Sequence, residues 1–144
     1  MKIAIDSSIL VDALNKEGAN HESCRDLVNA GGCISFSHIL SETFSCLTGG
    51  KMGFRVPASQ AAEVLKIQIV PLLQIISLTP ADLLKAYGES ESRGIRGGAI
   101  YDYLHLFAAR KAGSVEFHTL NYRDFQAFQR PGDPQIVDAA KSFS

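Results

Sequence analysis

Lys2-Ile3-Ala4-Ile5-Asp6-Ser7-Ser8-Ile9-Leu10 sets how the rest of the chain is read. A short apolar run ends on an acid, two serines follow, and apolar residues resume. Lys2 to Ile5 predicts a buried first strand. Ser7 or Ser8 predicts the N-cap of a short helix that holds Ile9, Leu10 and Leu14 inside. Strand, polar turn and helix in that order form the unit from which parallel sheets are built. In such sheets ligands bind beyond the carboxyl ends of the strands. Asp6 is therefore placed where chemistry is done, with a helix-cap or turn role as its plainer alternative.

Working outward, the same alternation continues. Asn20 predicts a cap for a helix running to about Ala30, stopped by Gly31-Gly32. Cys33 to Phe36 reads as a second strand, and Ser37 as the cap of a helix ending near Gly49-Gly50. Pro57 suits the first turn of another helix, which carries Ala61, Ala62, Val64 and Leu65. Leu72 to Leu78 predicts a third strand. Thr79-Pro80 opens a helix that fades toward Gly94. Gly97-Gly98 precedes a helix from about Ala99 to Ala112, Val115 to Leu120 is a fourth strand, and a short helix follows around Asp124 to Phe128. Ile136 to Ala140 is expected to add an edge strand. No repeat or long linker divides the chain. The expectation is one α/β domain over residues 1–144, an α/β/α sandwich with a mainly parallel central sheet.

Bulk properties exclude several classes. Of 144 residues, 46% are hydrophobic and 20% charged, which is ordinary for a soluble globular protein. The longest apolar stretch, Ile67 to Leu78, is broken by Gln68, Pro71, Gln74 and Ser77 and is too short to span a membrane. With no long apolar run near the N-terminus, a cytoplasmic location is expected. Cys24, Cys33 and Cys46 are odd in number and lack C-x-x-C spacing, so buried free thiols are expected rather than disulfides or structural zinc. Net charge is −1. If Asp6, Glu42, Asp102 and Asp124 serve metal ions, 11 acids remain against 14 basic residues, a balance that permits a polyanionic substrate.

The acids carry the chemistry. On the helix after Gly98, Ile100, Tyr103, Leu104 and Phe107 form one apolar face, and Asp102 is followed on its own face by Leu106 and Ala109. A helix that is apolar nearly all round is buried, so Asp102 should be desolvated and in need of a dipole, a hydrogen bond or a cation. Glu42 lies just outside the stripe of Ile39, Leu40, Phe44 and Leu47, where a solvated surface role is its plainer alternative. Asn121 falls directly after the fourth strand. Carboxylate oxygens are the hard ligands that Mg²⁺ and Mn²⁺ prefer, and converging carboxylates repel unless neutralised.

Four stretches together resemble the PIN-domain nucleases, and among them the VapC-type toxins of toxin–antitoxin pairs. They are Ile5-Asp6-Ser7-Ser8-Ile9-Leu10-Val11, Ser37-His38-Ile39-Leu40-Ser41-Glu42, Gly97 to Ala109 with its Tyr101-Asp102-Tyr103-Leu104 core, and Thr119-Leu120-Asn121-Tyr122-Arg123-Asp124-Phe125. The resemblance runs over nearly the whole chain, and the third stretch is the most specific. It implies that Asp6, Glu42 and Asp102 bind metal. It implies a fourth position shared between Asn121, as a ligand, and Asp124, as a catalytic acid or a helix cap. It places the hydroxyls of Ser8 and Thr119 close to substrate, where capping or a strand-end hydrogen bond is the alternative. It further implies an endoribonuclease using Mg²⁺ or Mn²⁺, an RNA substrate, a homodimer and a cognate antitoxin; the helices between Asn20 and Gly50 are candidate contacts, with packing into the chain's own core as the plainer alternative. Lys51, Arg55, Arg93 and Arg96 are candidates to line an RNA path, Arg96 foremost.

Two other readings stay open. A Mg²⁺-dependent phosphatase also places an aspartate after the first strand, but wants a second acid where this chain has Ser8. A catalytically weak PIN-like module would bind RNA or protein without cleaving, and Asn121 leaves room for it. A nucleotide-binding dehydrogenase is excluded, because Asp6-Ser7-Ser8 stands where its G-x-G-x-x-G motif belongs.

Overall fold

The computed structural model describes residues 2–141. Met1 and residues 142–144, the ends of the expected domain, lie outside the described residues. Five strands form one sheet: β1 (Ile3–Ile5), β2 (Cys33–Phe36), β3 (Leu73–Ile76), β4 (Glu116–Thr119) and β5 (Gln135–Asp138). Their spatial order is β3-β2-β1-β4-β5, and every pairing is parallel. The tail expected to form an edge strand does so, two residues shorter at its C-terminal end than the sequence indicated.

Seven α-helices among the described residues cover both faces: α1 (Ser7–Leu14), α2 (His21–Asn29), α3 (His38–Gly49), α4 (Ala58–Val64), α5 (Pro80–Glu89), α6 (Ala99–Lys111) and α7 (Tyr122–Phe128). Alternate strand residues supply the two cores, as the period of a strand requires. Ile5 and Cys33 pack with Ile9, Leu10, Val28, Ile39 and Leu65 on one face. Ala4, Ile34, Phe117 and Ile136 pack with Leu106, Phe107 and Phe125 on the other. The architecture is the expected three-layer sandwich, with the sheet wholly parallel.

Several local expectations are corrected. Neither Ser7 nor Ser8 caps α1; Asp6 occupies that position, and the Ile9 amide in the first turn acts on its carboxylate. Asn20 and Ser37 precede their helices without side-chain capping bonds. Thr79 does cap α5, in a reciprocal capping box with Asp82. The helix after Pro57 widens into a π-helical stretch, Leu65–Ile69, and then a 3-10 turn, Val70–Leu72. Pro71 gives the reason: it has no N–H to donate, and its ring clashes with the carbonyl four residues back, so an α-helix cannot run through it. The third strand consequently starts at Leu73 and ends at Ile76, short of the expected Leu78. Cys24 and Cys33 are buried free thiols, but Cys46 is only partly buried. No helix among the described residues is long and apolar enough to cross a membrane.

Candidate active site

The strand order changes direction at β1: β2 and β3 lie on one side of it, β4 and β5 on the other. Brought side by side at that switch point are the carboxyl ends of β1 and β4, the place where open parallel sheets hold ligands. Ile5 pairs with His118, so Asp6 comes level with Thr119. Asp6 is 2% exposed. Its Oδ1 accepts from Ser8 Oγ at 2.6 Å and its Oδ2 from Thr119 Oγ1 at 2.8 Å. The same hydroxyls tie the next turn in place: Ser8 Oγ accepts from the Leu120 amide at 3.0 Å, and Thr119 Oγ1 from that of Asn121 at 2.9 Å. Ser8 and Thr119 thus direct their protons to Asp6, the strand-end arrangement. Burial nonetheless pushes the Asp6 carboxyl above the usual carboxylate range, against the opposing pull of Ser8, His105 and Thr119.

Asp102 stands in the first turn of α6, where the seven residues from Tyr103 to Ala109 are all buried. The all-round apolar pattern therefore does mark a buried helix. Asp102 itself is half-buried. Desolvation raises its carboxyl above the ordinary value, and repulsion from Asp6, Glu42 and Asp124 raises it further, with His105 alone pulling down. That repulsion places four acids within one electrostatic neighbourhood.

Glu42 on α3 is half-buried rather than solvated. Its Oε1 accepts a hydrogen bond from His105 Nε2 at 2.6 Å. Burial pushes its carboxyl up. The His105 hydrogen bond and charge, the His38 charge and a hydrogen bond from Ser7 more than offset this, leaving it below the usual range. Sequence reasoning gave His105 and Ser7 no role at the site. A signal for His105 was present, since it follows Asp102 by three residues and so shares its helix face.

The fourth position is looser. Asn121 precedes α7 without a capping bond, and Asp124 lies in the first turn of that helix. Both are exposed and line one cavity with Leu120, Tyr122, Arg123, Asp138 and Ala140. Arg96, Lys51 and Arg55 are exposed. Arg93 is not free to follow RNA. Its guanidinium is paired with buried Asp133, stacks 5.0 Å over the Tyr103 ring, and donates to the Phe128 carbonyl.

A divalent cation suits this donor set by its chemistry: hard oxygens, mutual repulsion and two carboxyls raised by burial. No three His, Cys, Asp or Glu side chains among the described residues form a closed metal-holding group. A small hard cation such as Mg²⁺ does not require one, because it retains several waters and takes only one or two carboxylates directly.

The PIN domain family model matches residues 3–131. No curated protein matches the sequence. Among solved structures, the chain is similar to VapC20 of Mycobacterium tuberculosis, described as a Sarcin-Ricin loop cleaving toxin. Identity is 21% and the TM-score 0.68, over 90% of this chain and 100% of that one. It is similar to VapBC2 from Rickettsia felis, bound to a DNA fragment from its promoter, at 22% identity and a TM-score of 0.62, over 95% and 98% of the two chains. FitAcB from Neisseria gonorrhoeae is similar at 16% identity and a TM-score of 0.62, over 95% and 97%. At these identities the likeness is one of fold. The family match covers most of the sequence, and the chain belongs to the PIN domain family.

Proposed function

We propose that the chain is an endoribonuclease, the toxin of a toxin–antitoxin pair, that cleaves RNA phosphodiester bonds with a water activated by Mg²⁺ or Mn²⁺. The observation that carries the reading is the raised Asp102 carboxyl, repelled by Asp6, Glu42 and Asp124 at the sheet's switch point. Family membership and the fold likeness to VapC20 support it.

Asp6 and Asp102 would hold the ion. When bound, it lowers the pKa of a water and stabilises charge on the phosphoryl oxygens. Ser8 and Thr119 keep both Asp6 oxygens aimed, so little reorganisation is left for the moment of reaction. Glu42, held ionised by His105, is an acceptor that orients a water rather than a strong proton abstractor. Asn121 would offer an amide oxygen as a further ligand, and Asp124, which repels Asp102, would add negative charge to the site. The test is direct: incubate the purified chain with single-stranded RNA in Mg²⁺, Mn²⁺ or EDTA. Cleavage in either metal and none in EDTA is expected. Undiminished cleavage in EDTA removes the metal from the mechanism.

The absence of a closed three-ligand group among the described residues, together with Asn121, favours as second reading a domain that binds RNA or protein without cleaving. Mn²⁺ separates the two, since only a chain that binds the ion gains thermal stability from it.

The partners follow from the same reading. An apolar groove between α3 and the segment after it, lined by Leu40, Phe44, Leu65 and Val70 with Lys66 beside them, is where an antitoxin segment would sit. VapBC2, a fold neighbour, is bound to promoter DNA. Of the helices between Asn20 and Gly50, α3 carries this surface. Co-purification with the product of the adjacent gene, lost in Phe44→Glu, is the expected result. Free thiols at Cys24, Cys33 and Cys46 fit work in the reducing cytoplasm.

A further inference from the structure

Seven large apolar side chains are conspicuously exposed among the described residues, and six of them, Phe54, Ile67, Val70, Leu84, Tyr87 and Val115, lie away from the acid-bearing turns. The seventh is Tyr101, 56% exposed and directly before Asp102 on α6. Its ring lies 6.1 Å from that of His38, tilted by 46°. His38 opens α3, one helical turn before Glu42, and its charge acts on the Glu42 carboxyl. Behind it the rings continue inward: His38 meets Phe36 at 6.1 Å, and Phe36 meets His105 edge-on at 5.6 Å. The outermost ring is thus water-facing and its inner neighbours are packed. The shelf is rooted in the two helices that supply Asp102 and Glu42.

We propose that Tyr101, braced by His38, forms a stacking shelf for one unpaired RNA base beside the acid cluster. The proposal rests on the RNA-cleaving reading of the site and adds how the strand is held. Carboxylates and cations engage only the phosphate and say nothing about the base. Proteins that take single-stranded RNA hold its unstacked bases against Tyr, Phe, Trp or His rings. Tyr101 adjoins Asp102, so a phosphate at the acids leaves the neighbouring base within reach of the ring. A base paired in a duplex has both faces covered and cannot use the shelf, so the site should favour single strands, loops and bulges. Tyrosine suits the position because its ring is large and rigid and tolerates water at the edge.

The experiment measures binding of a single-stranded oligoribonucleotide in EDTA, and its cleavage in Mn²⁺, for the full chain and for Tyr101→Ala, Tyr101→Phe and Tyr101→Trp. Loss of one base–aromatic stack weakens binding by about 5- to 100-fold. The alanine variant should show that loss in Kd and KM far more than in kcat, and the two aromatic variants should restore it. The advantage of single-stranded over duplex RNA should shrink in the alanine variant. The Mn²⁺-induced rise in Tm should persist in all three variants, marking the acid cluster as intact. Unchanged Kd in Tyr101→Ala, or failure of phenylalanine to restore it, overturns the shelf. A wild-type chain that binds RNA but never cleaves it refutes the nuclease reading, while its Kd series still decides the shelf. A chain with no affinity for RNA overturns both.

Discussion

Glu42 is held by a partner that the apolar pattern around that partner conceals. The His105 imidazole is 2% exposed, donates from Nε2 to Glu42, and has no partner at Nδ1. Its bond therefore fixes both the ring and the carboxylate. Groups that orient a metal-site carboxylate typically contribute 10- to 100-fold to metal affinity or activity. His105→Leu, similar in bulk but without the donor, should raise the Mn²⁺ concentration needed for half-maximal stabilisation by about tenfold or more. His105→Gln, whose amide N–H can reach the same oxygen, should recover part of the loss. Equal behaviour of the two variants would deny the orienting role. Asp102 supports a prediction in pH. Its folded-state carboxyl lies above the ordinary aspartate value of 3.8, so the folded chain holds this proton more tightly than the unfolded one. Ionising it costs stability, and that cost grows as pH rises from about the ordinary value through the raised one. In EDTA, Asp102→Asn should match the wild type in Tm at the acid end. It should pull ahead as pH climbs toward neutrality, then keep a constant lead. A lead that shrinks with rising pH would contradict the assignment. Of the candidate site's members, Asp6 and Asp102 stood out in sequence because a strand end and a buried helix turn expose a misplaced charge, whereas Glu42 and Asp124 rested on the family resemblance. His105 did not stand out, because a histidine amid Leu104, Leu106 and Phe107 looks like core; its place one turn after Asp102 is a weak signal, and its partner on another helix makes its use plain.

At the level of elements, legibility followed the strength of the local signal. Thr79-Pro80 signalled a helix start, which the fold completes as a capping box with Asp82, and the glycine after α3 behaves as expected, Gly50 closing the helix in the left-handed region at φ 85°. The stretch from Leu65 to Leu72 was misread because one proline forces a π-helical widening, which periodicity cannot show. Arg93, one of the candidates for an RNA path, is engaged elsewhere in a way the sequence does not show, since its partners lie far along the chain. Asp133 receives both Arg93 and Arg110, the latter at 3.0 Å, and Arg110 also bonds Glu89 at 2.7 Å, which accepts from the Tyr103 hydroxyl at 2.6 Å. This network pins the loop between α7 and β5 to α5 and α6. Removing one partner of a buried ion pair strands the others. Asp133→Ala should therefore lower unfolding free energy by about 3 kcal/mol in urea titration. Cleavage measured well below the new Tm should survive, because none of the residues proposed to hold the ion is a member of this network. A loss under 1 kcal/mol would show the arginines finding water instead.

For the whole molecule, the alternation of strand and helix was enough to predict the parallel sandwich, because each element's apolar face had to be covered on the sheet. What the sequence could not show was the order in which strands lie. Within the order β3-β2-β1-β4-β5, the pairing of β1 with β4 brings Asp6 against Thr119. Surface pairing belongs to this scale as well. Leu84 and Tyr87 on α5 are 68% and 48% exposed, and we propose this face, rather than the helices between Asn20 and Gly50, as a contact between two copies of the chain. Light scattering should give a dimer mass for the wild type and a monomer mass for Leu84→Glu; a wild-type monomer would contradict it. Everything proposed for the site depends on the acids at the switch point forming a divalent-cation site. A Mn²⁺ titration followed by thermal unfolding, with wild type and Asp102→Asn side by side at neutral pH, decides it. Wild-type Tm should rise with Mn²⁺. The variant should start higher without metal and rise little or not at all. An equal Mn²⁺-induced rise in both proteins would contradict it.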